Sequence, residues 1–267
     1  MNKQKIKELF PLVKDQNPLV HHITNTVTIN DCANVTLAIG GSPVMATSME
    51  EVADMARLAD ALVINFGTID DLMYEAMIRA GQAANEKGIP VIFDPVGVGA
   101  TPFRTKRAKD FIERVKVSIV RGNASEVHAL IGGEVHTRGV DSGVVTLSSQ
   151  EITLLAAKQL NAIAVISGKQ DYVSDGNEMI GIDNGDIWLT KITGTGCTTA
   201  SLVASFAGVT NDLLLAAVAG MSTMSLAGEL AKKRLALEDG LGTYRVNLMD
   251  ELSLMNGERW EVGVRLI

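Results

Sequence analysis

Four short apolar runs, each ending in polar residues and spaced by stretches of helical character, constrain this chain most. They are Ala61–Ile64 before Asn65, the run between Pro90 and Asp94-Pro95, Val117–Val120 before Arg121, and Ala162–Ile166 before Ser167-Gly168. Strands covered on both faces read as unbroken apolar runs, because neither face meets water. Helical segments at this spacing imply βαβ units and a mainly parallel sheet. One such helix is expected from about Asp71 to Lys87, stopped by Gly88. A first helix is expected over about residues 4–15, and a short strand over Pro43–Ala46. Ser48 reads as an N-cap with Glu51 three positions later, opening a helix to about Asp60. Tyr172 to Asp183 reads as a hairpin turning at Gly176-Asn177, an antiparallel edge on the parallel sheet.

Ligands of open parallel sheets sit beyond the carboxyl ends of the strands. Those ends carry Asn65, Asp94, Arg121 and Ser167, so polar groups gather where a ligand would lie.

The chain has 267 residues with no Pro-, Ser- or Gly-rich linker and no visible repeat, so residues 1–267 are expected to form one domain. It carries 24 Lys+Arg against 31 Asp+Glu and no basic block, which argues against nucleic acid or an anionic membrane as partner. No apolar core follows Met1–Lys5, so no signal peptide is expected. The most apolar segment, Leu213 to Leu230, is interrupted by Gly220, Ser222, Thr223, Ser225 and Gly228. A membrane span takes about 20 mostly apolar residues; a buried helix is the better reading. The two cysteines, Cys32 and Cys197, suit free thiols in a reducing cytoplasm, although sequence leaves a bridge between them open.

Residues 192–199, Ile-Thr-Gly-Thr-Gly-Cys-Thr-Thr, precede a helix rich in Ala, Leu, Val and Phe. Glycines allow close backbone approach, and a helix N-terminus offers unpaired N–H groups and a positive dipole end. Gly194, Thr195 and Gly196 therefore read as an anion pocket. The competing reading is an ordinary glycine loop with a Thr cap, and spacing alone does not separate the two. Cys197 stands at the mouth of that helix, where a thiol can have a lowered pKa. A nucleophilic cysteine would want a histidine, and His21, His22, His128 and His136 form no recognisable pairing motif. A small packing thiol is the alternative. Asn123-Ala124-Ser125-Glu126 is a capping box by spacing, and the sharper reading sets Glu126 beside a hydrated Mg²⁺. Asp94 is the natural second carboxylate, or else a turn cap. Arg121 could balance a nucleotide phosphate. Walker A, Rossmann and zinc-ligand spacings are all missing, so a nucleotide site needs another architecture.

Six pieces occur in order: His21-His22-Ile23-Thr24-Asn25, Asn30 with Ala33-Asn34, Gly41–Met45, Asp94–Gly97, Gly122–Glu126 and Gly194–Cys197. Together they closely resemble the hydroxyethylthiazole kinases, thiamine-salvage enzymes of the ribokinase-like superfamily, over nearly the whole chain. The resemblance implies a three-layer α/β sandwich with a central, mainly parallel sheet. It implies Mg²⁺-dependent transfer of the ATP γ-phosphate to the hydroxyl of 4-methyl-5-(2-hydroxyethyl)thiazole, in a cytoplasmic homotrimer with active sites between subunits. By the same resemblance the thiazole lies near Met45, Asn25 and Gly194, ATP meets Arg121 and Ser167, and Asp94 and Glu126 hold the metal, directly or through water. Most of the superfamily carries Asp where this chain has Cys197, whereas thiazole kinases commonly carry Cys. Cys197 is then a stand-in for a catalytic Asp, and the identity of any base is open. Another small-alcohol kinase, acting on hydroxymethylpyrimidine or a sugar, would not be expected to share the Asn25 and Met45 motifs. A non-catalytic thiazole binder would lack the carboxylates, and a cysteine hydrolase would need a histidine partner.

Overall fold

The computed structural model describes residues 3–133 and 147–267. His136 lies outside the described residues. In chain order the elements are α1 (Lys3–Lys7), α2 (Leu9–Gln16), β1 (Leu19–Ile23), α3 (Ile29–Ile39), β2 (Ser42–Val44), α4 (Val52–Leu58), β3 (Ala61–Asn65), α5 (Asp71–Lys87), β4 (Val91–Asp94) and α6 (Pro102–Arg114). They continue as β5 (Ile119–Asn123), α7 (Ala124–Leu130), α8 (Ser149–Leu160), β6 (Ile163–Ser167), β7 (Asp171–Ser174) and β8 (Met179–Ile182). A 3-10 turn (Ile187–Lys191) then leads to α9 (Thr195–Ala207), α10 (Leu213–Lys233), α11 (Leu241–Ser253) and α12 (Gly257–Gly263).

The eight strands form one sheet in the order β2-β1-β3-β4-β5-β6-β7-β8. Pairing is parallel from β2 through β6, then antiparallel to β7 and β8. Alternate residues of each strand point to opposite faces, and both faces are covered. Ala61, Val63, Ile92, Ile119 and Val165 pack into the layer holding α9 and α10. Leu62, Ile64, Phe93, Val120 and Ile166 pack into the layer holding α5. That double burial is why the strands read as unbroken apolar runs. By length and composition α10 is able to cross a membrane, but it is largely buried against α9, α11, β6 and β7.

Differences from the sequence expectation have local causes. The first helix breaks at Glu8 into α1 and α2. Pro11 brings no N–H to the carbonyl of Lys7, and its ring crowds that carbonyl. Ser48 does not cap α4; the helix starts at Val52, and the carbonyl of Ser48 accepts from the N–H groups of Glu51 (3.1 Å) and Val52 (3.0 Å) in the preceding turn. β2 stops at Val44. β1 is not legible as a strand from its sequence, because two histidines interrupt its apolar pattern. Both are buried: His22 Nδ1 donates to Val20 O (3.0 Å), its Nε2 accepts from the Ser201 hydroxyl (3.1 Å), and burial pushes the His22 pKa down to about 4 and lowers that of His21. They therefore sit in the core as neutral imidazoles. The hairpin is as expected, with Gly176 at φ +93° in its turn.

Candidate active site

The carboxyl ends of the parallel strands and the N-terminus of α9 meet at one edge of the sheet. Asn65 and Asp94 end β3 and β4 and are register partners. Arg121 lies within β5, two residues before its end, and Ser167 ends β6. Asn25 follows β1, and Met45 follows β2 on the outermost strand. Gly194 holds the N-cap position of α9 at φ +90°, a backbone state that side chains rarely adopt. A β-carbon there would also fall 2.6 Å from Thr28 Cγ2. Among the described residues no side chain caps this helix. The N–H groups of Thr195, Gly196 and Cys197 thus open the first turn without intrahelical partners, beside the positive dipole end.

Arg121 reaches across this edge. Its Nη2 donates to Ser167 Oγ at 2.8 Å, and Nη1 lies 4.0 Å from Asp94 Oδ1. Asp94 is fully buried, and among the described residues neither its Oδ1 nor Arg121 Nε has a hydrogen-bond partner. A buried charge left so is costly unless a further ligand completes it. Burial lifts the Asp94 pKa to about 7; the Arg121 charge opposes the rise, and the Glu126 charge adds to it.

Glu126 is engaged on both oxygens. Oε2 accepts from the N–H of Asn123 and Oε1 from the N–H of Gly97, each at 2.9 Å. Asn123 Oδ1 accepts in return from the Glu126 N–H at 2.9 Å, completing the capping box. The carboxylate therefore staples the turn after β4 to the start of α7, and burial raises its pKa. Arg104, which sequence reasoning did not single out, staples a second pair of loops. It donates to the carbonyls of Val96 (2.9 Å) and Gly67 (2.8 Å) and to that of Phe66. Nothing in the sequence around Arg104 marks it, since its partners are backbone atoms of distant loops.

Cys197 is half-buried, and its sulfur accepts from Asn25 Nδ2 and Asn65 Nδ2, both at 3.3 Å. Burial, reinforced by the charge of Asp94, pushes its pKa up to about 11. The direction is opposite to the lowered pKa that a helix N-terminus can give: burial and the Asp94 charge both favour the neutral form, and the thiol is neutral near pH 7. Of the described histidines, His21 and His22 are tied to Ala46 O and Ser201 Oγ, so neither is poised as a base for Cys197.

Next to this centre a cavity of about 690 Å³ runs past Arg121, Ser167, Thr195 and Thr199 to Asp171 and Met224. Its size suits a nucleotide. Met45 stands apart from it. The segment after β2 is held by His21 Nε2 against Ala46 O at 2.8 Å, and Met45 is half-buried on the open edge of the sheet.

The hydroxyethylthiazole kinase family model matches residues 10–258. The chain belongs to the hydroxyethylthiazole kinase family. It is 47% identical to the hydroxyethylthiazole kinase of Alkaliphilus oremlandii over 252 residues, covering 94% of this chain and 93% of that protein. It is 48% identical to that of Moorella thermoacetica over 254 residues, covering 95% and 94%. The solved structure of a hydroxyethylthiazole kinase protein from Pyrococcus horikoshii superposes with a TM-score of 0.88 at 36% identity, over 99% of this chain and 98% of that one. Pyridoxal kinase from Staphylococcus aureus shares the fold at a TM-score of 0.58 and 15% identity, over 79% of this chain and 87% of that one. In this chain an eight-stranded sheet flanked by helices carries the residues of this edge.

Proposed function

We infer that this chain is a hydroxyethylthiazole kinase. It moves the γ-phosphoryl group of ATP onto the hydroxyl of 4-methyl-5-(2-hydroxyethyl)thiazole, a step of thiamine salvage, as a single kinase domain in the cytoplasm. One observation carries the chemistry: a buried carboxylate and a buried guanidinium, Asp94 and Arg121, face each other with unspent hydrogen-bonding capacity in front of an uncapped helix N-terminus. A polyphosphate and its counter-ion fill that description.

In this reading Arg121 and Ser167 grip the phosphates of ATP. The N–H groups of Thr195, Gly196 and Cys197 receive the γ-phosphoryl as its charge spreads over the equatorial oxygens. The thiazole lies on the other side of α9, against Gly194, Asn25 and the backbone at Met45. Asp94 and Glu126 are the residues fitted to Mg²⁺. Asp94 would offer Oδ1 directly, and Glu126, with both oxygens on backbone N–H groups, would act through water. Mg²⁺ keeps several waters and takes oxygens from phosphates, so it needs no larger set of side chains, and it supplies charge neutralisation to the transferring phosphoryl group. Cys197, a neutral thiol, positions the substrate hydroxyl rather than taking its proton early. The loose transition state asks mainly for alignment and charge compensation.

We also propose a homotrimer with active sites between subunits. Met45 lies beside the outermost strand, and Val27, Leu37 and Val246 expose apolar side chains on or next to α3 and α11, which pack together. Apolar surface of this kind marks interfaces.

The experiment is ADP release with ATP and Mg²⁺, comparing the thiazole alcohol with hydroxymethylpyrimidine and simple sugars. Turnover of the thiazole alcohol alone is expected; turnover only of a sugar overturns the assignment. Sedimentation equilibrium tests the trimer, and a monomeric active species would sink it.

A further inference from the structure

Asn65 is fully buried and uses every hydrogen-bonding capacity of its carboxamide. Oδ1 accepts from the backbone N–H of Gly67 at 2.8 Å and from Asn25 Nδ2 at 2.9 Å. Nδ2 donates to Asp94 Oδ2 at 2.8 Å and to Cys197 Sγ at 3.3 Å. The orientation of an amide is ordinarily a matter of interpretation, but here it is forced. The N–H of Gly67 can only donate, so the oxygen faces it and the nitrogen faces Asp94 and Cys197. Asn25 is forced in the same way. Its Oδ1 accepts from the N–H groups of Val27 (3.1 Å) and Thr28 (3.0 Å), which leaves Nδ2 for Asn65 Oδ1 and Cys197 Sγ.

Two amides thus aim N–H groups at one sulfur. Two consequences follow from the donor and acceptor inventory. The atom at position 197 is held as an acceptor, so a thiol proton must point away from the two amides. The same donors would receive a carboxylate oxygen at that position equally well. Asn65 is also the only one of the two whose amide nitrogen binds Asp94 as well, which makes it the direct link between the buried carboxylate and the atom at position 197.

We propose that Asn65 is a positioning residue for phosphoryl transfer, fixing the side chain at position 197 relative to Asp94 through its two N–H bonds. This rests on the reading that Cys197 stands at the transfer centre. The two bonds Asn65 donates go to Asp94 and Cys197 and the two it accepts come from Gly67 and Asn25, so its contribution belongs to the transition-state geometry rather than to nucleotide affinity. The Arg121–Ser167 grip shares no hydrogen bond with it.

The test is a double-mutant cycle of Asn65→Ala and Cys197→Ala. Steady-state kinetics are measured for ATP and the thiazole alcohol, and thermal melting checks the fold. Asn65→Leu, which keeps the volume, serves if Asn65→Ala fails to fold. Asn65→Ala is expected to lower kcat by about 10²-fold, the loss typical of one pre-organised donor, with the KM for ATP changed by less than about threefold. In the Cys197→Ala background the same substitution is expected to cost only about tenfold, because residues acting through each other are not additive. A merely structural asparagine would give the same loss in both backgrounds, and such additivity overturns the proposal. So does an unchanged kcat, or a loss confined to the KM for ATP. Cys197→Ala alone tests the underlying reading. Wild-type turnover in that variant removes position 197 from the transfer centre and the proposal with it, whereas an impaired Cys197→Ala beside a fully active Asn65→Ala overturns the proposal alone.

Discussion

A β-carbon built on Gly196 falls 2.3 Å from Nη1 of Arg121, so the guanidinium occupies the space a side chain at position 196 would need. The glycine admits the cation to the mouth of α9. Gly196→Ala is expected to displace Arg121 from Ser167 and Asp94 and to lower kcat/KM for ATP by about 10²-fold, as loss of a charge-assisted grip implies. Gly242→Ala, on the exposed start of α11 with nothing within 4 Å, is the control. Steady-state kinetics on both variants check the claim; equal effects would refute it.

Cys197 reads as a positioning group because its thiol is neutral near pH 7, with a pKa of about 11. Cys197→Ser is expected to reduce kcat by roughly tenfold without abolishing it. Cys197→Asp should stay active, since Asn25 and Asn65 present donors to a carboxylate oxygen there. Single-turnover assays with folded variants decide this, and complete loss in Cys197→Asp contradicts it.

Asp94 has a pH signature. Its carboxyl titrates at an ordinary value of 3.8 when unfolded and at about 7 when buried. Between those values the folded protein holds a proton the unfolded chain has lost. Asp94 therefore favours the folded state least above about pH 7 and progressively more as the pH falls towards 4. Asp94→Asn removes that dependence. Without ATP or Mg²⁺ the variant should melt a few degrees above wild type at pH 8, with the gap closing towards pH 4, while kcat falls by about 10²-fold or more. Melting curves across that range check the sign.

Glu126→Gln leaves a single oxygen where two backbone donors, Gly97 and Asn123, now each have one. One buried N–H is orphaned, at a cost of about 1–3 kcal/mol. Urea denaturation should report that loss. Turnover should fall further than Asn123→Ala makes it fall, because Asn123→Ala removes only the cap, worth about 1 kcal/mol.

The chain by itself determined the α/β alternation and the row of polar residues at the strand ends. Burial on both faces leaves its mark locally, as in Ala61–Ile64 or Val91–Phe93, and the residue that ends such a run points to the ligand edge whatever lies beside it. Asn65, Asp94, Arg121 and Ser167 were all legible in this way, as was the glycine turn before α9. Only the tertiary structure decided what these groups do to one another. Asn25 and Asn65 reach Cys197 across 172 and 132 residues of chain, and Arg104 finds the carbonyls of Phe66 and Gly67. β1 stayed hidden because two histidines interrupt its apolar pattern, and only the fold shows that burial holds them neutral in the core. Cys197 shows the same division. Its place at a helix N-terminus was plain from spacing, but the direction of its pKa depended on how much water the fold removes and how near it brings Asp94, and neither is a local property of the chain.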